Sequence, residues 1–351
     1  MWTSKTMETV YKTLGSIQLN DRVSANLIRH GASGVLYVDQ PLVLISQLPR
    51  SGGTYLSQLF DGHPQIWPHP HELKIGFPDK SDWPSFSVSE GARRIFSRLS
   101  ETATADYAFN PFYRKGSERH PILFAGGLKK IFSALFGAVN PQTSRDVLNI
   151  YFTSYFLAWL DYHGRYERPK LKVSAFVARL GARHDSVERF FNDYPDGHLI
   201  QIVREPNSWF ESVKGKFAGA RTVEDVYRRR RNDRSREFWR CAVDSQLARE
   251  IYIHAVRTME ENKRRFGSRV TVISYSDLTQ DVEGTMRRLS GVLGIPFHPT
   301  MTTQTFNSRP ISPNTSFPAG RPPRSSILTE LEREHMKGAL ATYDVLRERC
   351  L

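Results

Sequence analysis

Short apolar runs rich in β-branched residues alternate with longer stretches of helical periodicity along much of the chain. Four of these runs predict buried strands, at residues 42–45, 170–177, 198–203 and 269–274. Apolar residues recur at helical spacing between the runs, as they do over residues 185–192. Alternating strands and helices predict an α/β fold with a mostly parallel sheet that helices cover on both faces.

The remaining stretches give weaker patterns. Prolines punctuate residues 65–73, which therefore predict a surface segment beside the strand ends. The charged stretch at 223–266 predicts one long helix, and residues 326–349 predict a final helix. Residues 1–40 predict a helical lead-in, and 300–324, rich in Pro, Ser, Thr and Asn, predict a loop.

Residues 78–165 interrupt the α/β rhythm with a mainly helical insertion. It contains two predicted helices, at 128–136 and 145–162, dense in aliphatic and aromatic side chains. Core packing is the favoured interpretation of those side chains, and the wall or lid of an acceptor pocket is the alternative. With this insertion included, the chain is predicted to form a single domain over residues 1–351.

Candidate chemistry follows the first predicted strand, in the sequence Pro-Arg-Ser-Gly-Gly-Thr at residues 49–54. A run of helical periodicity begins directly afterwards, at Tyr55. Glycines let backbone N–H groups approach an oxyanion, and the start of a helix adds a partial positive charge. Arg50 contributes a guanidinium, and the hydroxyls of Ser51 and Thr54 contribute further donors. The segment therefore predicts a site for a phosphate or sulfate group.

The net charge agrees with an anionic ligand. Lysine and arginine number 49 against 36 aspartates and glutamates, a net charge of +13. Such an excess favours nucleotides, acidic glycans, nucleic acid or anionic lipid, although a basic surface without a dedicated ligand is the alternative. The arginine run at 228–231 is interpreted as a solvated helix face and is assigned no site.

The two cysteines, Cys241 and Cys350, offer neither metal-ligand spacing nor a disulfide framework, which favours a reducing compartment. The first residues lack the apolar core of a signal peptide, and no uncharged apolar run reaches the length of a transmembrane helix. These observations predict a soluble, cytoplasmic protein, for which peripheral membrane contact stays open.

A second element narrows the ligand of the loop. The nucleoside-triphosphate loop requires a lysine after its glycines, and none follows here. Arg204 ends a predicted strand, and Ser212 lies eight residues later, about two turns into the next predicted helix. Both side chains can therefore point back toward a second phosphate.

Together these elements resemble the sulfotransferases that use 3′-phosphoadenosine-5′-phosphosulfate (PAPS). Their first loop, spelled Pro-Lys/Arg-Ser-Gly-Thr-Thr, binds the 5′-phosphosulfate, and an Arg and a Ser eight residues apart bind the 3′-phosphate. The resemblance implies a P-loop NTPase-like fold, release of adenosine 3′,5′-bisphosphate and no metal requirement. Here Gly53 stands in place of the first threonine. The donor-binding residues that it implies in these two elements are Arg50, Ser51, Gly52, Gly53, Thr54, Tyr55, Arg204 and Ser212.

Later segments match the same family in the same order. Tyr275, in Ser-Tyr-Ser-Asp-Leu, resembles the tyrosine of the family's Tyr-Glu-Asp-Leu segment, which lies near the adenine. Thr315 and Phe317 match its Thr-Ser-Phe stretch, which lines the adenine pocket. Arg321 and Arg324 are candidates for the basic loop that closes over the 3′-phosphate, although the Arg-Lys-Gly spelling is absent.

The resemblance also offers two types of catalytic base. Cytosolic members use a histidine after a Lys-Thr pair on the third strand; here Lys172 keeps the lysine, with a predicted role at the sulfuryl group, and the histidine is missing. Tyrosylprotein, bacterial and Golgi-type members carry a glutamate after Asp-x-His-Pro. This chain has that motif at 61–64 and then Glu72, which is the predicted base, with His71 as its competitor.

The predicted function is therefore transfer of a sulfuryl group from PAPS to a hydroxyl or amine. The acceptor is predicted to be a small molecule or glycan, with a carbohydrate or glycolipid favoured and nucleic acid not expected. Two other classes stay open: a P-loop-like kinase or nucleotidase, and a catalytically silent protein that binds a nucleotide or polyanion. The sequence does not predict an oligomeric state.

Overall fold

A five-stranded sheet forms the centre of the fold. The computed structural model describes residues 37–73, 82–84, 88, 125–159, 169–229, 236–311 and 327–351. Its strands are β1 (Leu42–Ile45), β2 (Ile66–Glu72), β3 (Lys172–Phe176), β4 (His198–Val203) and β5 (Val270–Ser274). They lie in the order β2-β3-β1-β4-β5, and every neighbouring pair is parallel. The predicted α/β fold with a parallel sheet is confirmed.

Helices follow the strands along the chain, as predicted. Within the described residues they are α1 (Gly53–Asp61), α2 (Ala125–Val139), α3 (Ser144–Ala158), α4 (His184–Asp193), α5 (Pro206–Lys216), α6 (Val223–Arg229), α7 (Arg236–Trp239), α8 (Ser245–Phe266), α9 (Tyr275–Gln280), α10 (Val282–Leu293), α11 (Glu330–Lys337) and α12 (Leu340–Arg347). None of these described helices has the length and apolar character needed to cross a membrane. Cys241 and Cys350 are both free thiols.

The sheet is buried on both faces, which explains why its strands form continuous apolar runs. Leu42 and Leu44 of β1 belong to a core cluster shared with α3 and α4. Val43 and Ile45 point to the opposite face and pack with residues of α1 and α10. A third cluster joins α5, α8 and the last two helices to Val203 at the end of β4 and Val272 in the middle of β5.

The prediction that residues 65–73 form a surface segment is wrong. Residues 66–72 form β2, which pairs in parallel with β3, and Ile66 and Trp67 are almost fully buried. Pro68 has no backbone N–H but still allows pairing, because β3 is the only strand beside β2 within the described residues. An edge strand tolerates proline, and the register shifts between Pro68 and Glu72.

The prediction of one long helix over residues 223–266 is also wrong, because a 3₁₀ turn at Arg240–Ala242 separates α7 from α8. Asp244 caps α8, since its side chain accepts a hydrogen bond of 3.0 Å from the N–H of Leu247. Part of the arginine run lies in residues 230–235, outside the described residues. Likewise the last predicted helix is two helices, α11 and α12, with Gly338 between them.

The predicted loop at 300–324 begins with regular structure. A 3₁₀ turn at Pro299–Thr302 precedes a hairpin of two short strands, β6 (Thr305–Phe306) and β7 (Arg309–Pro310). Residues 312–326, and with them the rest of the predicted loop, lie outside the described residues.

The predicted helical insertion is described in part. Its two predicted helices correspond to α2 and α3, and Thr143 begins α3 with a capping box formed with Asp146. Residues 147–158 of α3 are all buried, many of them in the core cluster that covers β1 and β3. This burial is what core packing predicts. A role of the insertion as an acceptor wall stays a prediction.

Asp61, at the end of α1, anchors the β6–β7 hairpin. The side chain is 3% exposed, and its Oδ2 accepts a hydrogen bond of 2.8 Å from the N–H of Ser308. Asn307 and Ser308 have φ angles of 53° and 59°, so the hairpin turns through the left-handed region. Burial raises the pKa of Asp61 from 3.8 to about 6, although the Ser308 N–H favours the ionised form.

This raised pKa predicts a pH dependence of stability. Between about pH 4 and pH 6 the carboxyl is protonated in the folded protein and ionised in the unfolded chain, so the free energy of unfolding should fall by roughly 2–3 kcal/mol as the pH rises through this window. Asp61→Asn should lack this fall when urea unfolding is measured from pH 4 to 7. Asp196→Asn, at an exposed carboxylate, is the control. If the free energy of unfolding depends on pH in the same way for the wild type and Asp61→Asn, Asp61 is not the source of the pH dependence.

Candidate active site

The loop between β1 and α1 has the shape of an oxyanion cradle. Arg50 and Gly52 adopt φ angles of 75° and 101°, and Gly52 is the N-cap of α1. A Cβ at Gly52 would lie 2.7 Å from Cδ2 of Tyr275, so only glycine lets that ring approach. No side chain caps α1, in contrast to α5, where Glu205 accepts two backbone hydrogen bonds. The first N–H groups of α1 therefore stay available to a ligand.

Two arginines meet above this loop. The Nε of Arg50 donates to the Oγ of Ser212 at 3.1 Å and to its carbonyl oxygen at 3.3 Å. The Nη1 of Arg204 donates to the Arg50 carbonyl at 3.0 Å, and its Nε donates to the Oγ of Ser208 at 3.0 Å. The Arg204 guanidinium also lies 4.3 Å from the centre of the Tyr275 ring. The predicted loop and the predicted Arg–Ser element thus form one cluster.

The electrostatics of this cluster favour an anion. Burial lowers the pKa of both guanidiniums, and the charge of Arg204 lowers the pKa of Arg50 further. Neither arginine forms an ion pair with a carboxylate of the described residues. Both stay charged at neutral pH because guanidinium is so basic. The charges of Glu205 and Glu211 partly offset that of Arg204, but because no described carboxylate pairs directly with either guanidinium, the two positive charges favour binding of a polyanion between them.

A small cavity of about 70 Å³ opens at this cluster, with room for a tetrahedral oxyanion but not for a whole nucleotide. Most of its lining was predicted from the sequence: Arg50, Gly52, Gly53, Thr54, Tyr55, Arg204, Ser212 and Tyr275. Ser51 is 2% exposed and does not line it. The predicted adenine and 3′-phosphate residues Thr315, Phe317, Arg321 and Arg324 lie outside the described residues.

Sequence reasoning missed two lining residues, Gln47 and Phe176. Neither belongs to a recognisable motif. Their one sequence signal is position, because Phe176 ends β3 and Gln47 follows the end of β1 by two residues. A Cβ at Gly53 would lie 2.1 Å from the Nε2 of Gln47 and 2.4 Å from the Cε2 of Phe176. The threonine of the family spelling would therefore require the side chains of Gln47 and Phe176 to move.

Glu72 lies at the same edge of the sheet as the cavity. It is the last residue of β2, its Cα is paired with that of Phe176, and its side chain is exposed. His71 lies next to it in β2, and its side chain belongs to the part of the chain that is not described. Its role as the competing base stays a prediction.

Lys172 is at the wrong end of its strand for the predicted role. It begins β3, whereas Phe176 at the cavity ends it, which separates their Cα atoms by about 13 Å at the rise of a β-strand. Lys172 instead lies near His198, at the start of β4. Burial, together with the charges of Lys263 and Lys172, lowers the pKa of His198 to about 4. The assignment of Lys172 to the transferred group is therefore corrected.

The Asp-x-His-Pro motif has a structural part in this chain. The Nδ1 of His63 accepts a hydrogen bond of 3.1 Å from the N–H of Gln65, so its Nε2 is the donor to the Pro296 carbonyl at 2.9 Å. His63 thereby fixes the start of β2 to the segment after α10. Through this contact the motif helps to position the strand that carries Glu72.

A larger cavity of about 530 Å³ lies beside the loop. Leu48, Phe238 and Ile251 give it apolar walls, and Arg179 and Glu237 are among its charged lining residues. Arg179 connects the two cavities, because its N–H donates to the Gln47 carbonyl at 3.0 Å while its guanidinium lies 4.7 Å from the centre of the Phe238 ring.

Comparison with known proteins assigns the family. The profile of the Sulfotransferase family matches residues 41–299, which include the loop, both arginines and Tyr275. The chain belongs to the sulfotransferase family. Family membership supports a sulfotransferase enzyme with sulfotransfer as its general activity. No curated protein matches the chain in sequence.

Solved sulfotransferase structures resemble the chain at low sequence identity. The sulfotransferase from Alicyclobacillus acidocaldarius is 13% identical, with a TM-score of 0.47 over 89% of this chain and 97% of that one. The sulfotransferase domain from the curacin biosynthetic pathway is 16% identical, with a TM-score of 0.43 over 86% and 98%. The sulfotransferase domain from the Synechococcus PCC 7002 olefin synthase is 14% identical, with a TM-score of 0.39 over 86% and 96%.

Proposed function

We propose that this sulfotransferase uses PAPS as its donor and transfers the sulfuryl group to a hydroxyl or amine. The observation that carries the proposal is the pair of arginines, Arg50 and Arg204, which share one cavity and have no carboxylate partner among the described residues. Such a pair fits a ligand that brings several negative charges. PAPS brings a phosphosulfate and a second phosphate.

The donor-binding residues divide between the two ends of this ligand. Arg50, Thr54 and the first N–H groups of α1 would hold the phosphosulfate, since they surround the cavity floor. Arg204, with Ser212 beside it, would hold the 3′-phosphate. Tyr275, which stacks against Arg204 and over Gly52, would pack against the adenine.

The chemistry then needs a base and charge stabilisation. The acceptor oxygen or nitrogen forms a bond to sulfur while the bond from sulfur to the 5′-phosphate oxygen breaks, and adenosine 3′,5′-bisphosphate leaves. We assign the acceptor proton to the Glu72 carboxylate, the role that a glutamate has in the glutamate-base members. Its position level with Phe176, at the cavity edge of the sheet, supports this role. Positively charged donors at the loop stabilise the charge on the leaving group.

For the acceptor we propose a hydroxylated small molecule or glycan, with a carbohydrate or glycolipid as the first class to test. The net charge of +13 favours acidic acceptors, and the cavity of about 530 Å³ beside the loop has the size of a small-molecule site. Incubation with PAPS carrying ³⁵S and a panel of glycans, lipids, phenols and amines would identify the acceptor by the labelled product.

The test of the donor is a binding measurement. Adenosine 3′,5′-bisphosphate should raise the Tm of the full chain, with a stabilisation of about 2.7 kcal/mol at one hundred times its Kd. Arg204→Ala should weaken its Kd by roughly 10- to 100-fold, since hydrogen bonds to charged groups contribute about 1.5–3 kcal/mol. Arg264→Ala is the control, because this arginine is 73% exposed on α8 and pairs with Glu261.

The competing functions predict different results. A kinase or nucleotidase would be stabilised by Mg·ATP more than by the bisphosphate, and chelation of the metal would abolish its activity. A silent binding protein would bind the bisphosphate and transfer no label to any acceptor. Failure of the bisphosphate to stabilise the wild type would overturn the proposed donor.

A further inference from the structure

Gly53 creates a gap in the donor-binding loop that another side chain fills. The Nε2 of Gln47 stands 2.1 Å from the place where a Cβ at residue 53 would lie, and the ring of Phe176 closes the other side at 2.4 Å. The two side chains therefore occupy the volume in which a threonine at residue 53 would place its hydroxyl. Gln47 enters this volume from the end of β1, opposite the start of α1.

We propose that Gln47 is a donor-binding residue whose carboxamide replaces the hydroxyl that is absent at Gly53. Its Nε2 donates a hydrogen bond to an oxygen of the phosphosulfate, beside the first N–H groups of α1 and the guanidinium of Arg50. This inference rests on the proposed function, because it concerns the same donor and the same cavity.

The hydrogen bonding of Gln47 supports a ligand role. The residue is 1% exposed, it lines the cavity with Arg50 and Arg204, and its Oε1 has no hydrogen-bond partner among the described residues. Oε1 is an acceptor and cannot pair with an anion, so the group that suits a phosphosulfate oxygen is the Nε2 at the other end of the carboxamide. The Nε2 lies beside Gly53 at the start of α1, and Gln47 lines the cavity.

The backbone around Gln47 holds the side chain in place. Its carbonyl accepts the N–H of Arg179 at 3.0 Å, and Arg179 has a φ of 69°. The preceding residue, Ser46, is buried, and its Oγ accepts the N–H of Gly181 at 2.7 Å while donating to the Val177 carbonyl. These bonds join the segment after β1 to the segment after β3. The carboxamide is thus presented by a rigid part of the fold, which is what preorganised binding requires.

The first test compares Gln47→Leu with the wild type by isothermal titration calorimetry, with PAPS and no acceptor. Leucine has similar size but no donor, so the Kd for PAPS should rise about 10-fold, as expected for one hydrogen bond to a charged group. The Tm of the ligand-free variant should be equal to or above that of the wild type, because an unpaired buried polar group is removed. An unchanged Kd for PAPS would overturn the inference.

Adenosine 3′,5′-bisphosphate, which has the 5′-phosphate and lacks the sulfuryl group, locates the contact. If Gln47→Leu raises the Kd of PAPS and of the bisphosphate by the same factor, the hydrogen bond is to the 5′-phosphate. If the substitution raises only the Kd of PAPS, the hydrogen bond is to the sulfuryl group. Failure of the wild type to bind either ligand would instead overturn the proposed function, before any variant is compared.

A rescue experiment separates replacement of the hydroxyl from a general effect on packing. Gly53→Thr alone should bind PAPS much more weakly than the wild type, because its side chain meets Gln47 and Phe176. The double variant Gln47→Ala with Gly53→Thr makes room for the threonine and lets the Phe176 ring shift. It should bind PAPS more tightly than either single variant. If the double variant is folded by Tm and binds no better than Gly53→Thr, the inference is wrong.

Discussion

Arg50→Ala should lower kcat for sulfuryl transfer by about 100- to 1,000-fold, the effect of removing one preorganised donor from developing charge. The fold should persist, since the Arg50 side chain bonds only to Ser212 among the described residues. The ligand-free variant should not lose stability, because repulsion between Arg50 and Arg204 disappears. Arg50→Lys should have a kcat between those of Arg50→Ala and the wild type, because lysine keeps the positive charge but lacks the planar guanidinium with its several N–H donors.

The measurement is kcat and KM with the acceptor that the labelled panel identifies, alongside Tm. Arg287→Ala serves as the matched control, because Arg287 is 57% exposed on α10 and pairs with Glu283. Its kcat should match the wild type. A kcat for Arg50→Ala close to the wild-type value would show that Arg50 does not stabilise the transition state.

Glu72→Gln should lower kcat by about 100- to 10,000-fold, the range for loss of a general base. The substitution keeps the size of the side chain and changes none of the residues that line the anion cavity, so the Kd for adenosine 3′,5′-bisphosphate should not change. The pH profile of kcat should lose the limb on its acidic side, because the group that must be ionised there is absent. His71→Ala should keep most of the activity.

The comparison between these neighbours decides which residue is the base. Near-normal turnover in Glu72→Gln together with a large loss in His71→Ala would assign the base to His71. Glu334→Gln, at an exposed glutamate of α11 that pairs with Lys337, controls for the loss of a surface carboxylate. It should leave kcat and its pH profile unchanged.

The strands that the sequence predicted well are those buried on both faces. β1 and β4 have the predicted limits, because a central parallel strand must be apolar at successive positions. β2 was not predicted because Pro68 and Pro70 are unusual in a strand; they are tolerated here because β3 is the only strand beside β2 within the described residues. The number of strands beside β2 depends on how the whole sheet assembles, so it cannot be inferred from the sequence near the prolines.

The residues of the site likewise separate into those that local sequence predicts and those that depend on contacts between distant segments. Local spacing found Arg50, Gly52 and Ser212, since loop and helix geometry bring such residues together. The role of Lys172 came from matching the family's Lys-Thr pair by residue type, whereas Lys172 begins β3 and the cavity lies at its other end. Gln47 reaches the cavity through contacts between different elements, because it lies beside Gly53 and its carbonyl accepts the N–H of Arg179. Sequence motifs identify the residues of the donor-binding loop, whereas the side chains that pack beside the loop become visible only in the structure.

The prolines of β2 have a consequence beyond their own strand. An open sheet has outer strands whose free backbone groups can template pairing with another chain, which leads to aggregation. Pro68 and Pro70 have no N–H to offer at the β2 side. At the β5 side the carbonyl of Val272 already accepts the N–H of Leu351 at 2.9 Å. Within the described residues, the missing N–H groups of β2 and the Leu351 contact at β5 thus leave fewer backbone groups with which either outer strand could pair with another chain.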